Sequence, residues 1–199
     1  MPGFVGEDEV IRRNMGLAKE RMFTVEDVEA MPEDSFVELI DGRLYYMAAP
    51  TANHQEIVHF LDRSIGNYIQ RKKGTCSVYP SPFAVYLNED SSNYFMPDLM
   101  VVCDRSRIRQ NGYYGAPDLV AEVVSRSSRS LDYLKKLVKY EQAGVREYWI
   151  VDPLRKTVMV YNFEAGEMNQ YTFAEAVKVN IFEDLFIDFS ELVLTDGAQ

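Results

Sequence analysis

The run Leu119–Val124, LVAEVV, is apolar at every position but one. Such runs mark strands buried on both faces, so the sheet that holds this one needs cover on each side. The neighbouring segments can supply that cover. After Thr51, Ile57, Val58, Leu61, Ile65, Tyr68 and Ile69 recur at the helical period, and Gly74 ends a long amphipathic helix. A second helix is predicted over about Leu131–Ala143, capped by Ser130 and ended by Gly144. Thr24 and Asp27 form a capping box for a short helix that runs through Ala30 and stops before Pro32. β-like runs cover Cys76–Tyr79, Phe83–Leu87 and Leu99–Cys103, and EYWIVD and TVMVY follow Gly144. FVELI and RLYYM flank Asp41-Gly42, the pair that a type I′ hairpin turn requires. Beyond Gly166 the pattern allows one or two edge strands or a small helix. The expectation is an α/β fold, a mixed sheet flanked by helices, in one domain over residues 23–194. Residues 1–22 read as an arm and 195–199 as a tail.

The 199 residues, 47% of them hydrophobic, suffice for one core and exclude a disordered chain. No apolar run reaches the ~18 residues of a membrane span, and the first residues, MPGFVGEDEV, are acidic where a signal peptide is basic. A soluble, cytoplasmic chain without a membrane partner is therefore expected. Cys76 and Cys103 lie in separate β-like runs with no CxxC spacing, which predicts reduced, buried thiols. The only histidines, His54 and His59, fall on different faces of their helix, so a structural zinc site is not expected.

A net charge of −10 weighs against indiscriminate nucleic-acid binding. The charge is uneven, however. Arg126, Arg129, Lys135, Lys136, Lys139 and Arg146 lie in one stretch against only Asp132 and Glu141. That stretch is either a solvated helix face or a surface for phosphates.

Glu122, the exception in LVAEVV, is the candidate for chemistry. A carboxylate inside a doubly buried strand needs a partner: an internal cation, or a divalent metal ion, of which Mg²⁺ is the one that prefers carboxylate oxygen. Asp98 follows Pro97 at the head of the Leu99–Cys103 run, from where two adjacent strands can converge on one ion. Asp118 after Pro117 copies the Pro-Asp pattern. It lies four residues from Glu122 on the same strand, about 13 Å away, too far to share an ion with it.

Together, Pro97-Asp98, Glu122-Val-Val-Ser and the following DYLKKLVKYEQAGVREYWIVDP resemble the PD-(D/E)XK superfamily of restriction-endonuclease-like proteins. Within it, the match is to the Uma family of endonuclease-like proteins, long catalogued as a domain of unknown function. FVELIDGRLYYM, the segment around His54, and MPDLMVV extend the likeness over about Phe23–Leu192. The resemblance implies that Asp98 and Glu122 hold the metal, that Glu38 is a further acidic position, and that His54 matches a family histidine at the start of the long helix. The superfamily lysine would stand two residues after Glu122, where this chain has Val124. The family match moves it to Lys136. On a helical wheel Lys135 and Lys139 fall beside Asp132 on the solvated side, whereas Lys136 falls beside Tyr133 and Tyr140.

The implied reaction is phosphodiester hydrolysis with Mg²⁺, or Mn²⁺ in its place, on Asp98 and Glu122, and with Lys136 orienting water or countering charge. The implied partner is DNA, bound weakly or selectively for structure, with a homodimer as one assembly that would strengthen binding. A rival expectation is a non-catalytic interaction protein that keeps the nuclease fold.

Overall fold

The computed structural model describes residues 21–32, 35–87, 91–124 and 135–195. Thr24 caps α1 (Val25–Glu29) through the anticipated capping box with Asp27. Strands β1 (Val37–Ile40) and β2 (Arg43–Tyr46) pair as an antiparallel hairpin. At its turn Asp41 and Gly42 both take positive φ, 50° and 72°, the conformation that the Asp-Gly pair favours. Thr51 then caps α2 (Ala52–Lys72), which buries Ile57, Val58, Phe60, Leu61, Ile65, Tyr68 and Ile69 along one stripe.

The main sheet has six strands, in the order β11 (Glu167–Thr172), β10 (Thr157–Asn162), β9 (Glu147–Asp152), β8 (Leu119–Val123), β5 (Leu99–Val102) and β3 (Ser77–Pro80). Only β8 and β9 run parallel. The sheet is therefore mixed, as predicted, and β8 is one of its two middle strands. Alternation along β8 sends Leu119, Ala121 and Val123 into a core shared with α2, Trp149, Val151 and Phe189. Val120, together with Val124 just past the strand, faces the opposite core, with Met100, Val102, Tyr148 and Ile150.

This second core is covered differently from the first. Helix α3 (Leu137–Ala143) contributes Tyr140, and short strands cover the rest. Leu39 of β1 bridges to Tyr94, and Phe95 bridges to Val85 of β4 (Val85–Tyr86). Strand β4 pairs with β7 (Gly112–Tyr114), which pairs with β6 (Ile108–Arg109). The strand predicted over Phe83–Leu87 is thus shorter than expected and leaves the main sheet. Strands β6 and β7 were not legible, because a two- or three-residue strand carries too little alternation to stand out. The end of the chain adds the edge strand β11, a hairpin of β12 (Ala176–Lys178) with β13 (Phe186–Asp188), and a 3-10 turn at Phe189–Glu191.

Helix α3 ends at Gly144 in the left-handed conformation, φ 91°. Its expected start at Ser130 and Leu131 lies outside the described residues. Cys76 and Cys103 are half-buried and joined in a disulfide, which corrects the expectation of reduced, buried thiols. Strand register is the reason: Ser77 pairs with Val102, so the next residue on each strand faces the other. Among the described residues no helix is long and apolar enough to cross a membrane.

Candidate active site

Strand β5 pairs with β8 only from Leu99 onward, with Leu99 opposite Ala121. One step further, Asp98 stands opposite Glu122. There the ladder ends, and Asp98 Oδ2 accepts the Val123 N–H at 2.7 Å in place of a strand carbonyl. His54 Nε2 lies 3.0 Å from the same oxygen. His54 is placed by the first turn of α2, where the Thr51 hydroxyl accepts its backbone N–H at 3.3 Å. Because Asp98 accepts, the tautomer that satisfies this contact carries its proton on Nε2, and His54 Nδ1 is then a buried atom with no hydrogen-bond partner. Asp98 Oδ1 likewise has none among the described residues.

Glu122 points to the side of α3. Lys136 Nζ donates to its Oε1 at 2.8 Å, and Tyr140 O–H donates to the same atom at 3.0 Å. Lys136 and Tyr140 are one helical turn apart, which sets both on the face turned to β8. Lys136 also reaches Glu38 Oε2 at 2.9 Å, while Glu38 Oε1 accepts the Met96 N–H at 3.1 Å. Glu38 faces inward with Ile40, because alternate residues of β1 turn toward α1 and toward the second core. Glu38, Glu122 and Lys136 are 3%, 4% and 3% exposed. Three carboxylates against one ammonium give Glu38, Asp98, Glu122 and Lys136 together a formal charge of −2. Nearby, burial and then the charges of Glu29 and Glu38 push the Tyr94 phenol above its usual range.

The donor set is all oxygen, the open oxygen of Asp98 is at hand, and the excess charge suits a dication, so these residues fit Mg²⁺ or Mn²⁺ rather than a softer metal. No cluster of three or more His, Cys, Asp or Glu side chains in metal-holding geometry occurs among the described residues. Mg²⁺ is commonly held by one or two carboxylates with water filling the remaining positions.

Residues 25–194 match a family described as "Putative restriction endonuclease". The chain belongs to the Uma2 family. Its fold is shared with a crystal structure of "a putative nuclease belonging to DUF820" from Anabaena variabilis ATCC 29413, at a TM-score of 0.72 and 20% identity over 85% of this chain and 97% of that one. Two uncharacterized proteins of Synechocystis sp. (strain ATCC 27184 / PCC 6803 / Kazusa) are also similar. They are sll1609, 28% identical over 58% of this chain, and slr1290, 26% identical over 67% of it. The matches span 65% and 64% of those proteins, just under two thirds of their length.

In the Uma2 chain the other acidic candidate, Asp118, sits at the far end of β8. It accepts the Cys103 N–H at 2.7 Å and pairs with Arg146 at 3.0 Å. The basic stretch is spent internally to the extent that it is described. Lys135 donates to the Tyr45 hydroxyl, Lys139 pairs with Asp41, and Arg146 pairs with Glu164 and Asp118. Lys135 is exposed, as read, and Lys139 is half-buried; with Lys136 they reach from α3 to the β1–β2 hairpin. Arg126, Arg129 and Asp132 lie outside the described residues. Sequence reasoning did not assign Tyr140 a role at Glu122. Its place one turn after Lys136 was the available signal.

Proposed function

We propose that this chain is a Mg²⁺-dependent DNA endonuclease, with Mn²⁺ able to replace Mg²⁺, acting in the cytoplasm as one domain over residues 23–194. The observation that carries the reading is the buried Lys136 bridging Glu38 and Glu122, with Asp98 opposite Glu122 where the β5–β8 ladder ends. Asp98 and Glu122 would hold the metal. When bound, it would lower the pKa of a water ligand and neutralise charge at the phosphate. Lys136 counters charge that develops as the phosphodiester is attacked, and Glu38 holds its ammonium in place. Tyr140 and Lys136 together fix one oxygen of Glu122, and His54 and the Val123 N–H fix one oxygen of Asp98. The net charge of −10 argues for weak or structure-selective DNA binding, which a homodimer would strengthen.

One observation favours a second reading, a non-catalytic interaction protein on the nuclease fold: Lys136 is 3% exposed and already bound to two carboxylates. Cleavage of supercoiled, linear and branched DNA with Mg²⁺, Mn²⁺ or EDTA separates the two. The nuclease reading expects metal-dependent nicking that Asp98→Asn and Glu122→Gln abolish, with loss of Mn²⁺ binding by calorimetry. A folded wild-type protein that binds neither ion and cleaves none of the substrates would leave the second reading.

A further inference from the structure

Lys135, Lys136, Lys139 and Arg146 each have a partner within the fold, which leaves other cations freer to grip a DNA substrate. The β6–β7 hairpin and the turn before it offer the means. Arg105, Arg107 and Arg109 are exposed there, and among the described residues only Arg107 of the three is paired, with Asp104 at 3.1 Å. Arg105 and Arg109 have no carboxylate partner among the described residues.

Arg109 is not a loose side chain. Its guanidinium lies over the Tyr114 ring, 4.1 Å from the centroid. Tyr114 in turn stacks on Tyr86 at 4.3 Å and 7°. Asn111 ties the two phenols together, donating to Tyr114 at 2.9 Å and to Tyr86 at 3.3 Å, and Tyr86 donates to Glu29 at 3.2 Å. The stack holds the guanidinium over the Tyr114 ring, and among the described residues no acceptor meets its N–H groups. A planar fork held in this way suits a phosphate oxygen pair, and little side-chain entropy remains to be lost on binding.

The stack and the candidate site share one hydrogen-bonded layer. Leu39 of β1 and Tyr94 exchange N–H···O bonds of 2.8 Å. Phe95 and Val85 do the same at 2.7 and 3.2 Å, and β4, β7 and β6 follow. Four interstrand steps separate β1, which carries Glu38, from β6, which carries Arg109, or about 19 Å at about 4.8 Å per step. That is about five or six nucleotides of a strand at 3.4 Å each.

We infer that Arg109, braced by Tyr114 and Tyr86, and Arg105 beside it form a phosphate-binding surface for the DNA strand on one side of the cleavage site. This rests on the nuclease reading, deepens it, and fails separately from it. The test is fluorescence anisotropy in EDTA, where nothing is cut, with a 20-nucleotide single strand and its duplex over a range of salt. Arg109→Ala should weaken binding roughly tenfold, the loss of one charge-assisted contact. It should also reduce the slope of log K against log salt by about 0.7–0.9. Arg105→Ala, which loses no side-chain hydrogen bond or ion pair among the described residues, should reduce the slope in the same way. Arg155→Ala, at the β9–β10 turn, is the control and should change neither.

If wild-type protein binds DNA and all three variants match it, the surface is refuted while the nuclease reading stands. If binding depends on Arg109 but no metal supports cleavage, the surface stands and the nuclease reading falls. Absence of wild-type binding to either probe overturns the surface.

Discussion

Replacing Lys136 by methionine keeps an unbranched side chain one atom shorter and removes its charge. Glu38 Oε2 and Glu122 Oε1 each lie within 3 Å of Nζ, at 2.9 and 2.8 Å, so the two carboxylates are less than about 6 Å apart. Without the ammonium they repel by about 3 kcal/mol at an effective dielectric of ~20. Removing one member of a buried ion cluster typically costs about 3–5 kcal/mol in total, because the remaining charge is left uncompensated. With a urea m-value of roughly 2 kcal/mol/M, the unfolding midpoint should fall by about 1.5–2.5 M at neutral pH. The sign of the pH dependence follows from the repulsion. In the variant one carboxylate has a folded-state pKa raised above its unfolded value, so the deficit is full above that pKa and shrinks as the pH falls through it. Lys136→Met combined with Glu38→Gln leaves one charge and should recover much of the loss. A midpoint shift under about 0.5 M, or a double variant no more stable than the single one, would refute the buried bridge.

His54→Ala should weaken Mn²⁺ binding by about 10–100-fold in calorimetry, through loss of the contact that orients Asp98, and unchanged affinity would show that this contact orients nothing. Protein purified without reductant should show no reactive thiols after unfolding, and Cys76→Ser should cost about 3 kcal/mol under the same conditions, since the link closes a 27-residue separation. Two titratable thiols in the wild type would contradict the disulfide. The Asp184 carboxyl is held below its ordinary pKa of 3.8, first by its bond from Lys72 and then by that from Tyr68. A lowered folded-state pKa gives stability that is present above the ordinary value and is lost as the pH falls through the lower one. Thermal midpoints measured from about pH 5 to pH 2 should therefore drop less steeply in Asp184→Asn than in the wild type, and parallel curves would count against the pair.

Local chemistry was legible in the sequence. The Asp41-Gly42 turn, the α2 stripe, the α1 capping box and the position of β8 in the sheet each follow from residues within a few positions of one another. Glu122 stood out for the same reason, as a charge where periodicity demanded an apolar side chain. Lys136 separated from Lys135 and Lys139 on its own helix because Tyr140 lies one turn beyond it. What it pairs with, Glu38 and Glu122, was beyond local reading.

The sequence by itself determined the longer helices and strands and marked Glu122 as a charge inside the core, because propensity and periodicity act over one turn or one pleat. Tertiary structure alone decided the pairings that cross the chain. The β3–β5 register set Cys76 against Cys103, where spacing had suggested two separate thiols. The β5–β8 register set Asp98 opposite Glu122 and gave the Val123 N–H to its carboxylate. The packing of α3 against the first hairpin turned two lysines read as solvated toward Tyr45 and Asp41. A register shift of one residue would reverse both strand facings, and register, like helix packing, depends on contacts between residues far apart in the chain, which no local pattern encodes.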